Sequence, residues 1–134
     1  MAPPVYRMEQ ALAAWLLAQL PVAAILGARL YPLVLPQEGQ LPAATYQRIG
    51  ADIEYDLDGP AGLERPLVQI DCWGSSFADA RGLAGAIRDA LHGYAGPMGD
   101  VTVQRIIIER EADEYEAETQ LYRCGADYRI SVST

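Results

Sequence analysis

The sequence predicts an α+β domain: a mostly antiparallel four-stranded sheet, built as two hairpins, with helices packed on one face in the order α-β-β-α-β-β. Three observations predict it. Apolar residues recur at helical spacing near the start, a strand runs straight into a capped helix across residues 67–91, and residues 122–132 alternate strictly between apolar and polar. A chain of 134 residues fits one such domain, spanning 1–134.

The first helix is expected over residues 5–20, where Met8, Leu12, Trp15, Leu16 and Leu20 share one face. Pro21 suits the first turn of a short second helix, not the interior of the first. Leu30-Tyr31-Pro32 and Pro36 then read as an extended surface connector. Residues 43–50 are strand-like, and Ile53, Tyr55 and Leu57 alternate with Asp52, Glu54, Asp56 and Asp58, as in a strand with one wet face. Asp58-Gly-Pro-Ala-Gly62 is turn chemistry, so residues 43–73 form a long hairpin. Trp73, ending its second strand, is expected beneath the helix that follows, with an exposed contact role as the alternative.

Ser76, with Asp79 three residues on, is a variant capping box that starts the next helix, whose apolar stripe is Phe77, Ala80, Leu83, Ala84, Ile87 and Leu91. Gly82 and Gly85 inside it each cost about 1 kcal/mol relative to Ala. They imply either a close approach to the sheet or two tolerated glycines. After a breaker region at 93–99, residues 101–111 read as a third strand with Val101, Val103, Ile106, Ile107 and Ile108. In the fourth, Tyr122, Cys124, Ala126, Tyr128, Ile130 and Val132 face one way and Arg123, Asp127, Arg129 and Ser131 the other.

Composition limits the function. With 51% hydrophobic and 21% charged residues the chain is globular in type, and a net charge of -8 argues against gripping nucleic acid through its phosphates. Cys72 and Cys124 sit in separate strands without metal or redox spacing. A cross-strand disulfide stays open, with buried reduced thiols favoured for an intracellular chain. The apolar run at 11–28 follows Glu9 and Gln10, not basic residues, and is interrupted by Gln19 and Pro21, so buried helices are expected and a membrane span or leader is not.

No constellation supports catalysis. Glu109, Glu111, Asp113, Glu114, Glu116 and Glu118 read as a solvated loop tip between the third and fourth strands, or as a docking loop for a basic partner. A calcium loop starting at Glu54 would place Arg65 at the bidentate position, which defeats it. His92, the one histidine, falls at a helix C-terminus, where the dipole favours a cation. Ser75 and Ser76 lack a nucleophile-elbow setting, and neither a phosphate loop nor a dinucleotide fingerprint occurs. Catalytic, metal and cofactor residues are therefore assigned to none.

Leu30-Tyr31-Pro32, Leu41-Pro42, Tyr46-Gln47, the strand Val68-Gln-Ile-Asp-Cys-Trp73 and the helix carrying Ala80, Leu83, Ala84 and Leu91 together resemble the tail-completion (tail-terminator) proteins of tailed phages and prophages. The likeness runs from the first helix to the last strand. It implies a structural virion protein: a ring of identical subunits, commonly six, that caps the tail tube and joins the tail to the head connector. DNA would pass through unread. The implied partners are further copies of the chain, the tail tube protein and the head-tail connector protein, at the head-proximal end of a tail assembled in the bacterial cytoplasm. The family pattern carries over no site residues. From the fold alone, the candidate interface is the hairpin arm with Ile53, Tyr55, Asp56, Asp58 and Arg65, or the acidic segment with Glu109, Glu111, Asp113, Glu114, Glu116 and Glu118. A small α+β binding module acting as monomer or dimer is the alternative, and a hydrolase a distant third.

Overall fold

The computed structural model describes residues 4–52 and 63–133. The helix α1 (Pro4–Leu17) turns through 86° into α2 (Leu20–Leu26), which begins with Pro21 in its first turn as the sequence implies. Met8, Leu12, Leu16, Val22 and Leu26 are buried, whereas Leu20 lies beyond the end of α1 and is 82% exposed. Among the described residues no single helix is long and apolar enough to cross a membrane.

Among the described residues the sheet has six strands, not the expected four: β1 (Leu30–Pro32), β2 (Ala43–Asp52), β3 (Leu63–Gly74), β4 (Gly96–Met98), β5 (Val101–Glu116) and β6 (Leu121–Ser133), with α3 (Phe77–Leu91) between β3 and β4. Their order across the sheet is β1-β2-β3-β6-β5-β4. The two additional strands are three residues each. Leu30–Pro32, expected as a connector, pairs in parallel with the start of β2. Gly96–Met98, expected as a breaker, folds back on Val101–Val103 through a two-residue turn with Gly99 at φ 58, a conformation only glycine adopts without strain. The observed order is therefore α-α-β-β-β-α-β-β-β.

The third expected strand is also longer than its apolar part. Strand β5 continues to Glu116 and pairs with β6 down to Glu116↔Leu121, so most of the expected acidic loop is sheet. Register shifts around Gln104 and Glu109 mark two bulges. Each extra residue reverses the side on which the following residues fall. Hence Val101 and Val103, then Ile106 and Ile108, then Glu111, Asp113 and Tyr115 share a face, opposite Val132, Ile130, Tyr128, Ala126, Cys124 and Tyr122.

That face is covered. Ala80, Leu83, Ile87 and Leu91 of α3 pack on β3, β6 and β5, and α1 lies over β4 and β5. Ile70, Cys72, Tyr128, Ile130 and Ile106 are almost wholly buried beneath them. Ser76 caps α3 by accepting a 3.1 Å bond from the Asp79 N–H, as expected. Gly82 and Gly85 have nothing within 4 Å of where a Cβ would be, so a close helix-sheet approach is not their reason. The hairpin turn at 58–62 and residues Ile53, Tyr55, Asp56 and Asp58 lie outside the described residues.

Candidate functional site

The helix-free face of the sheet carries the polar alternates of the central strands. Gln69, Asp71, Arg110, Glu114, Arg123, Gly125 and Asp127, with Ile49 and Ala112, line a cleft of about 250 Å³. Asp71 is 9% exposed. Its carboxylate accepts from Gln69 Nε2 at 3.1 Å and lies 3.9 Å from Arg123 Nη1. Burial raises its pKa above the ordinary carboxylate value, against the opposing pull of Gln69 and Arg123. Arg123 also pairs with Glu114 and stacks 5.7 Å from the Trp73 ring centroid. Trp73 itself donates from Nε1 to Thr45 at 3.1 Å on this same face, so the expectation that it plugs the core under α3 is corrected. Of the cleft residues the sequence pattern places Arg123 and Asp127 on the wet side of their strand and Glu114 in an acidic loop, and it does not single out the others. The signal for the cleft was Asp71, an acid set between the buried Ile70 and Cys72 in mid-strand.

The expected acidic interface is split by the pleat and its bulge. Glu109 holds Arg129 at 3.2 Å, while Glu111, on the covered face, bridges Arg88 at 3.1 Å and Arg81 at 3.7 Å. Asp113 is the register partner of Cys124, whose pKa its carboxylate helps to raise after burial, and Glu114 takes Arg123. Glu116 receives the Thr119 hydroxyl at 3.4 Å, and Glu118 is exposed in the turn at 117–120. Arg65 is exposed on β3, and its carbonyl accepts from Arg129 at 3.0 Å. Among the described candidate residues, Glu109 and Arg65 are brought together through Arg129.

Among the described residues, Ser76 and His92 are not assembled as a nucleophile with its base. They cap opposite ends of the 15-residue α3, roughly 24 Å apart along its axis. The His92 Nδ1 accepts from the Ile108 N–H at 3.3 Å and so closes part of the β5 edge. No group of three or more metal-ligand side chains occurs among the described residues.

What the geometry does leave open is backbone. β1 covers β2 only at residues 44–46, and β4 covers β5 only at 101–103. The remaining lengths, 47–52 on one edge and 109–116 on the other, pair with no further strand among the described residues. Beside the first lies a groove of about 420 Å³ lined by Glu9, Pro32, Leu33, Tyr46 and Arg48.

Residues 10–133 match the family model described as Tail completion protein gp17. Among solved structures, the chain is similar to one from the virion of a native gene transfer agent particle. The two share 20% sequence identity over 95% of each chain, with a TM-score of 0.70. That identity speaks for the fold alone. No curated protein matches the chain.

Proposed function

The chain belongs to the tail completion protein gp17 family, and from that premise we propose that it forms a ring, hexameric by family resemblance, that caps a tail tube and joins it to the head connector. Its role is structural and its place is a phage-like virion tail. The finer reading puts it at the head-proximal end, with the tail tube protein on one side and the connector protein on the other. The observation that carries the reading is the family match across residues 10–133. Two features of the molecule support it. The sheet offers an open edge on each side, which suits head-to-tail contacts that close by rotation. The net charge of -8 suits a channel through which duplex DNA slides without being held, because like charge repels phosphate.

Residues 53–65 and the acidic half of β5 are the surfaces assigned to neighbours. Light scattering of the purified chain, alone and mixed with the tail tube protein, tests the function. A ring-sized mass in either condition is expected. A monomer that ignores the tube protein in both would overturn the proposal and leave a free-standing binding module.

A further inference from the structure

We infer that adjacent copies of this chain join by an antiparallel half-lap, with residues 47–52 of β2 in one copy pairing to residues 111–116 of β5 in the next. The inference rests on the ring reading above and adds the surfaces that make the ring.

The two open edges are complementary in position. Among the described residues, β1 blocks the lower part of β2 and leaves 47–52 without a strand on that edge, whereas β4 blocks the opposite end of β5, and Gly93 and His92 bond Ile106 and Ile108. What stays free on β5 is its distal half. A copy carried across without inversion therefore meets its neighbour's open half with its own. The blocked halves pass above and below the joint.

Direction agrees. Within the chain β2 and β6 run one way and β3 and β5 the other. Continuing the sheet sets β2 of the next copy antiparallel to β5, the better hydrogen-bonded arrangement. The residues on each side of the β2 bulge between Arg48 and Ala51 then satisfy backbone groups that otherwise meet only water.

Side chains also find partners. Pairing 47 with 116 and 52 with 111 places Tyr115, which is 52% exposed, opposite Arg48 at the groove where Leu33 is 67% exposed. Tyr115 and Arg48 both lie on the helix-covered face of their strands, and Ile49 and Glu114 both on the open face, so the pleats of the two copies agree over 47–49 and 114–116, up to the bulge that β2 carries between Arg48 and Ala51. A slip of one residue would put them on opposite faces.

The offset closes as well. Across one chain, residues 44 and 113 lie level, through 44↔72, 72↔124 and 124↔113. The half-lap shifts each copy by about six residues along the strand, about 20 Å, across four strand widths, about 19 Å. Strands would then run at about 45° to the ring axis, close to the slope at which closed sheets are built.

The test uses the full chain. Ile49→Cys and Glu114→Cys, both on the open face, are co-expressed and treated with a short bis-maleimide, and the same samples are weighed by light scattering alone and with the tail tube protein. A covalent species at twice the chain mass is expected from the mixture and not from either variant alone. Pairing Ile49→Cys with Gln104→Cys, on the half that β4 guards, should give none. A ring-sized mass without the 49–114 cross-link overturns the half-lap and leaves the ring standing. Self-cross-linking of either single variant overturns it too, because that requires an isologous contact. A monomer in both conditions overturns both readings.

Discussion

Asp71 folds its carboxylate over the Cα of Gly125, its register partner on β6, so closely that a methyl group at 125 would collide with Oδ1. A glycine in mid-strand is usually a weakness. Here it makes the space in which an almost buried acid can sit beside Arg123. Gly125→Ala should destabilise the fold by about 1–3 kcal/mol, the usual cost of overpacking. In an Asp71→Ala background most of that cost should vanish. Urea denaturation of the four proteins in this cycle measures it, and equal costs in both backgrounds would refute the contact as the cause.

The same acid sets a pH dependence. Burial raises its folded-state pKa above the unfolded value, so the folded chain binds the proton more tightly. The stabilisation from protonating Asp71 is fully present below the ordinary carboxylate pKa and is lost as pH rises through the raised one. Relative to Asp71→Asn, the wild type should therefore gain stability between pH 7 and about pH 4. Denaturation midpoints of both proteins over that range give the slope, and a wild type that loses ground on acidification would contradict it.

Cys72 and Cys124 are also register partners, directly opposed beneath α3, and both are free thiols. Burial pushes Cys72 well above the usual thiol value and Cys124 up to about 11. A thiol that is neither ionised nor exposed does not attack. At pH 8 the folded protein should resist iodoacetamide, and full labelling should appear only with unfolding. Rapid native labelling of either cysteine would show that the α3 cover opens.

Glu111 reaches back from β5 to Arg81 and Arg88 of α3, tying helix to sheet at a site about a third exposed. Solvent screens such pairs. Glu111→Gln should cost under about 1 kcal/mol at low salt, and the difference should shrink in high salt. Melting temperatures at two salt concentrations decide it. A loss unaffected by salt would mean that packing, not charge, holds the contact.

The helices and the central strands were legible because burial imposes a period on their residues: Leu83, Ile87 and Leu91 in α3, and every second residue of β6. Strand β5 was half legible. Its bulges at Gln104 and Glu109 shift the alternation twice, and beyond Ile108 it buries almost nothing apolar, so pairing with β6 alone keeps it extended. Hydrophobic pattern is silent there, and the acids read as a loop. The three-residue strands β1 and β4 are too short for any period. The cleft around Asp71 was illegible for another reason: it joins β3, β5 and β6, and their register is a tertiary fact.

Gly82 and Gly85 lie on α3 with nothing near the place a side chain would occupy. Neither has the positive φ that would reserve the position for glycine. Their helical cost is therefore uncompensated within the chain, and Gly82→Ala and Gly85→Ala should each stabilise it by up to about 1 kcal/mol. Thermal or urea unfolding of the single variants tests this directly. A fall in stability would mean that the outer surface of α3 is more crowded than its neighbours Pro21 and Ala86 allow. A gain in stability with loss of the ring-sized mass would instead place a neighbouring subunit against these two glycines, a contact additional to the sheet edges.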